Sequence, residues 1–390
     1  MLPPEGEVLS GDIVHHPGPE YAGPIMSSIK LGFGFYQHML NTQGYRFARQ
    51  CGATHAVVHL VDYLYKADEM RAERQKDVVD NQPVGGDEGW GIAGATTHLW
   101  EVESLRRIKN EMAGHGLEFH AVENLDPVFW YDVLLGGPKR NEHIENVKRI
   151  IRNLGEVGIP ILGYNFSLAG VAGRISGRMA RGEAESVGVD GGTDAPIPNG
   201  MIWNMVYDRS AEPGFVEPAT EEELWGRLKF FLDAVLPVAE EAGVVLAAHP
   251  DDPPFERVRR QPRLVYTHDR YQKLLDLARS PNSKLEFCLG SLMEMPGGDI
   301  YETTRRHVAA GDIGYIHFRN IDGKVPKYHE VFLYEGDMDM VKIAKILRGE
   351  GYDGVVIPDH TPLMDCDDGW HAGMAWAMGY MRALLQALQG

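Results

Sequence analysis

The chain has 390 residues, 44% hydrophobic and 24% charged, which suits a globular protein with a sizeable core. Its formal net charge of -18 argues against a nucleic-acid partner, which selects a basic face. Only three cysteines occur, Cys51, Cys288 and Cys366, so a disulfide framework is not expected and a reducing cytoplasm fits. The opening MLPPEGEVLSGD lacks a basic region followed by an apolar one, so it does not read as a signal peptide. No apolar run is long enough to span a bilayer, and no membrane partner is expected.

Short apolar, β-rich runs recur along the chain. They are KLGFGF (30–35), ATHAVVHL (53–60), LEFHAVEN (117–124), IPILGYNF (159–166), VVLAAHP (244–250), LEFCLG (285–290), IGYIHFRN (313–320) and GVVIPDH (354–360). Near-continuous apolar strands of this kind belong to parallel sheets covered on both faces. Amphipathic segments lie between most of them. Residues 101–116 end at a glycine, and 141–158 place Ile144, Val147, Ile151 and Leu154 on one face. Residues 220–243 open on Thr220 as an N-cap with acids in the first turn, end at a glycine and contain Pro237, a candidate kink. Residues 339–351 repeat the helix-then-glycine pattern. Strand, helix and glycine in this alternation predict a (β/α)₈ TIM barrel. An open doubly wound sheet is the competing fold, and no GxGxxG follows the first strand to support it.

Two stretches break the rhythm, at about 62–98 and 167–219. Both follow a strand, so within a single barrel domain spanning 1–390 both are expected on the active-site face, as lid or wall. A disordered insertion or an oligomer contact is the alternative.

The C-terminal ends of barrel strands form the active-site face. The last four runs deliver His249, Cys288, His317 and Asp359 there, the last followed by His360. Each alone has an ordinary structural explanation: a cysteine as a small core residue, a histidine as a hydrogen-bonded one, an aspartate as a cap. Four on successive strands point to a metal. Imidazole, thiolate and carboxylate together suit Mn²⁺, Fe²⁺ or Zn²⁺ better than Mg²⁺ or Ca²⁺.

Several phrases resemble those of the mannonate dehydratase family, metal-dependent lyases of the xylose-isomerase-like TIM barrels. They are HPDDPP (249–254), FCLGS (287–291), IHFRN (316–320), YHEVFLYEGDMDM (328–340), IPDH (357–360) and, upstream, IENVKRIIRNLGEVGIPILGYNF (144–166). The resemblance runs from about residue 100 to the end. It implies His249, Cys288, His317 and Asp359 as ligands to Mn²⁺ or Fe²⁺, and dehydration of D-mannonate, a small anionic sugar acid, to 2-keto-3-deoxy-D-gluconate. A homo-oligomer is expected.

By the same resemblance His360 is the acid/base histidine, with support of the metal as its other reading. Arg319 is a candidate to hold the substrate carboxylate, or to pair with an acid such as Glu123. His329 and Glu330 either contact substrate hydroxyls or brace their loop, and Tyr164 and Asn165 carry the same two readings. Asp251 is expected to accept an N–H from a ligand imidazole and orient it.

One feature departs from the family. Its second acid/base residue is a tyrosine after a glycine, and here Met374 follows Gly373. Methionine cannot transfer a proton, so His371 or Tyr380 is the expected substitute. The departure leaves open a sugar or sugar-acid isomerase or epimerase, and a non-catalytic sugar-acid-binding barrel that keeps its metal for stability.

Overall fold

The computed structural model of the chain describes residues 29–67, 78–79, 82–83 and 89–388. The segment read for a signal peptide, and part of the 62–98 stretch, lie outside the described residues. Among the described residues, eight parallel strands close into a barrel. They are β1 (Lys30–Phe35), β2 (His55–Val58), β3 (Glu118–Val122), β4 (Ile161–Tyr164), β5 (Val245–Ala248), β6 (Ser283–Cys288), β7 (Ile313–His317) and β8 (Val355–Ile357). Each neighbours the next in sequence, and β8 pairs back onto β1. The sheet is closed, not open and doubly wound.

The longer helices alternate with these strands: α1 (Thr42–Gln50), α2 (Val102–Gly114), α3 (Arg140–Val157), α4 (Glu221–Ala242), α5 (His268–Leu277), α6 (Ile300–Ala310), α7 (Met340–Gly349) and α8 (Gly369–Ala387). Sequence chemistry sets their ends. Thr220 and Glu223 form a capping box at the start of α4, which continues through Pro237. Gly158 ends α3 at φ 73°, a left-handed position that glycine takes without steric cost. α3 buries Ile144, Val147, Ile151 and Leu154, the face expected from their spacing.

Two clusters make up most of the core among the described residues. Val57, Ala121, Ile161, Ala247, Tyr315, Val355 and Ile357 pack inside the barrel. A larger cluster fills the layer between strands and helices, which is why the strands read as continuous apolar runs.

The second long stretch is structured. Its hairpin, Arg174–Ala180 and Ala184–Asp190, joins a second hairpin, Asn320–Lys324 and Lys327–Val331, in one four-stranded sheet. The Leu363 N–H donates to the Glu185 carbonyl at 2.8 Å and ties this sheet to the loop after β8. Met205–Val206 pairs with Gly91–Ile92, so the two long stretches also pair with each other. Among the described residues, no helix is long and apolar enough to cross a membrane.

Candidate metal centre

The strand-end residues converge. His249, Cys288 and His317 each place a donor atom so that all three lie within 4.8 Å of one another. Cys288 and His317 are register partners across β6 and β7. Asp359 stands beside them, with Oδ2 3.4 Å from His317 Nδ1. Its φ of 61° is left-handed, a conformation that aspartate tolerates better than most side chains.

The electrostatics match a cation site. Burial pushes the Cys288 thiol up, but the Arg319 charge and hydrogen bonds from His249 and His317 hold it well below the usual thiol range. Burial opposes charge on His249, yet Cys288 raises that imidazole to about 9. Burial opposes charge on His317 too, and Asp359 and Glu123 carry it well above the ordinary histidine range. Asp359 is held well below the carboxylate range by His317 and His360, against its burial. Two anionic donors therefore face two protonated imidazoles, and a divalent cation that displaces those protons keeps the charge balance.

One hydrogen bond orients the His317 ring. Its Nε2 lies 3.2 Å from Glu123 Oε2, while Nδ1 is buried and turned toward Asp359 Oδ2 at 3.4 Å. A carboxylate behind an imidazole is the usual way to fix a ligand tautomer. A buried Nδ1 beside a thiolate and a carboxylate fits a borderline divalent metal.

His360 sits next to this group. Its Nδ1 is 2.5 Å from Glu330 Oε2 and its Nε2 is 3.1 Å from Asp359 Oδ2. Burial opposes its charge, but Asp359 and Glu330 raise it to about 10. Asn165 donates to the Pro250 carbonyl and accepts from Trp203 Nε1, so its amide borders the same pocket.

Other expected site residues make different contacts from those expected. Asp251 does not orient an imidazole: it accepts from Arg263 and from the Leu264 and Val265 N–H groups, while His249 Nδ1 faces the Pro250 carbonyl at 2.6 Å. Its neighbour Asp252 turns toward the pocket instead. Arg319 is 2% exposed, and its guanidinium binds Glu294 (2.7 Å), Asp252 (2.8 Å) and Ser291 (3.1 Å) rather than Glu123, while its Nε stands 3.2 Å from Asp359 Oδ2. Gly290 of the FCLGS phrase leaves room for it, since a Cβ there would stand 2.5 Å from Arg319 Nη1.

Tyr164 packs on Phe231 of α4, on the helix side of the barrel. His329 alternates with the buried Tyr328 and Glu330 and so presents the opposite face of its strand. His371 binds Asp368 and borders a separate surface cavity of about 600 Å³, which shares no lining residue with the metal cluster's pocket. Tyr380 stacks on Trp376, and Met374 is buried in the core.

Two groups at the pocket were missed from the sequence. Arg174, from the second long stretch, reaches Asp252 Oδ2 at 2.9 Å. His59, just past β2, contacts Tyr63 Oη through Nδ1 at 2.9 Å and stacks on Tyr36 at 4.7 Å. Extending the strand-end reading to β2 and β3 finds His59 and Glu123. No local pattern marks Arg174.

Fold and site together define a (β/α)₈ barrel with a cluster of transition-metal donors at the C-terminal ends of its strands. The D-mannonate dehydratase (UxuA) family matches residues 90–174 and 215–390, and the chain belongs to that family. The mannonate dehydratase of Streptococcus pneumoniae (strain 70585) is 31% identical over 277 residues, covering 67% of this chain and 74% of that one. The mannonate dehydratase of Lactococcus lactis subsp. cremoris is 29% identical over 321 residues, covering 75% and 88%. The crystal structure of mannonate dehydratase from Streptococcus suis serotype 2 shares the fold, with a TM-score of 0.68 and 24% identity over 92% of this chain and 93% of that one. A xylose isomerase domain protein from Planctomyces limnophilus shares it more distantly, with a TM-score of 0.52 and 12% identity over 93% and 97%. The gap between the two matched spans, residues 175–214, falls within the second long stretch.

Proposed function

We propose that this chain dehydrates D-mannonate to 2-keto-3-deoxy-D-gluconate, as a single barrel domain whose two long stretches wall the site. The observation that carries the reading is the His249, Cys288 and His317 cluster with His360 beside it, in a chain of this family. Free thiols at Cys51, Cys288 and Cys366 suit a reducing cytoplasm.

His249, Cys288, His317 and Asp359 hold the ion, Mn²⁺ by preference and Fe²⁺ next. When bound, it supplies Lewis-acid stabilisation of the charge that builds on the substrate carboxylate as the C2 proton leaves. Arg174 faces that carboxylate from the pocket wall. His360, charged between Asp359 and Glu330, gives a proton to the C3 hydroxyl, which departs as water. His59 takes the C2 proton in place of the absent tyrosine. Burial keeps its imidazole below the ordinary histidine range, and Tyr63 orients it. The enol left by loss of the C2 proton and C3 hydroxyl then becomes the 2-keto acid. Tyr63, Trp90 and Trp203 pack edge to face or tilted beside the pocket and limit water entry.

The test is product mass. Protein loaded with Mn²⁺ and incubated with D-mannonate should yield a 2-keto acid lighter than substrate by one water. A product of unchanged mass would replace dehydration with isomerisation.

A further inference from the structure

The opposite mouth of the barrel carries a second group of metal donors. His55 opens β2 and Glu118 opens β3, and the two are register partners at the N-terminal ends of their strands. The pairing then slips: Ala56 faces Phe119, but Val57 faces Ala121. His120 is thus the extra residue of a bulge, between Phe119 in the helix-side core and Ala121 in the barrel interior. Bulges re-aim side chains, and this one brings His120 to His55, with ring centroids 5.6 Å apart at 80°.

We propose that His55, Glu118 and His120 form a second divalent-cation site, of the zinc class, that braces the N-terminal end of the barrel. One donor atom from each lies within 4.8 Å of the others. His55 Nδ1 is occupied by the Thr54 hydroxyl at 2.8 Å, which leaves Nε2 facing Glu118 Oε2 at 3.3 Å. Tetrahedral ligands about 2.0–2.1 Å from a zinc ion stand roughly 3.3–3.4 Å apart, so this pair already has the spacing. Two histidines and a glutamate are a known zinc donor set that leaves a position for water.

An ion pair between His55 and Glu118 accounts for those two residues without a metal. It does not account for His120. One of its ring nitrogens is turned to the Gly314 backbone, and the other is buried without a hydrogen-bond partner. Burying such a nitrogen unpaired is costly, and a metal would satisfy it. Lys30 is the nearby charge that opposes a cation. Glu118, 61% exposed at the side chain, offsets it and can swing onto an ion.

Cobalt(II) titration of the full chain, stripped of metal, separates the two sites. The Cys288 site gives a thiolate-to-cobalt charge-transfer band, and the proposed site, with only nitrogen and oxygen donors, gives none. The expected result is two equivalents per chain in the wild type. His120→Ala should bind one equivalent and keep the band. Glu118→Gln, at an exposed position that does not threaten folding, should weaken the band-silent equivalent by at least about tenfold. A single equivalent in the wild type would overturn the proposal, as would a band-silent equivalent unchanged in both variants.

Discussion

His360 Nδ1 lies 2.5 Å from Glu330 Oε2, so the histidine beside the metal cluster is held by a carboxylate from the sheet above the barrel. This contact links that sheet to proton transfer. Glu330 fixes the ring and favours its charged form. Glu330→Gln should lower kcat about ten- to hundredfold, part of the roughly 10²–10⁴ that a positioned acid supplies, with metal content unchanged. Steady-state kinetics with metal analysis checks this, and an unaltered kcat would remove Glu330 from the mechanism.

Cys288→Ser and His360→Asn should separate holding the metal from moving the proton. The first replaces a thiolate donor and should reduce metal affinity and turnover together, by at least about tenfold in affinity. The second should keep the metal and lose turnover by at least about a hundredfold. Full activity in His360→Asn would refute its acid/base role.

Arg174→Lys keeps a positive charge near the buried Asp252 but loses the planar fork that matches a carboxylate. KM for D-mannonate should rise about tenfold with a smaller change in kcat. An equal fall in kcat at constant KM would instead place Arg174 in the chemical step.

Asp251→Ala should damage the fold rather than the metal cluster. The Arg263 side chain is fully buried and would lose its carboxylate partner, and two backbone N–H groups would lose their acceptor. Breaking a buried pair costs about 3–5 kcal/mol, readable as a lower urea midpoint. Metal loss from fully folded variant protein would show that Asp251 does support the ligands.

The barrel was legible because burial on both strand faces leaves apolar runs, and because α3 and α4 carry a stripe, a capping box and terminal glycines. The donor cluster followed from where strands end. What failed to show was long-range pairing. Asp251 and Asp252 are adjacent and alike in sequence, and distant partners separate their roles: Arg263 with two backbone N–H groups on one, Arg174 and Arg319 on the other. Arg319 sits in a strand-end phrase, yet Glu294 and Asp252 draw it into the protein. His371 and Tyr380 satisfied the chemistry demanded of a missing tyrosine but lie on α8, outside the pocket, whereas His59 comes from a run that otherwise looks like core.

The most direct test of the account is metal removal and return. The chain is stripped by chelation, assayed for 2-keto acid from D-mannonate, and assayed again after Mn²⁺ is restored. The account predicts no product from the stripped protein and recovery with Mn²⁺ that Cys288→Ser largely loses. Stripped protein that still forms the keto acid, or a loaded wild type that forms none, would contradict it.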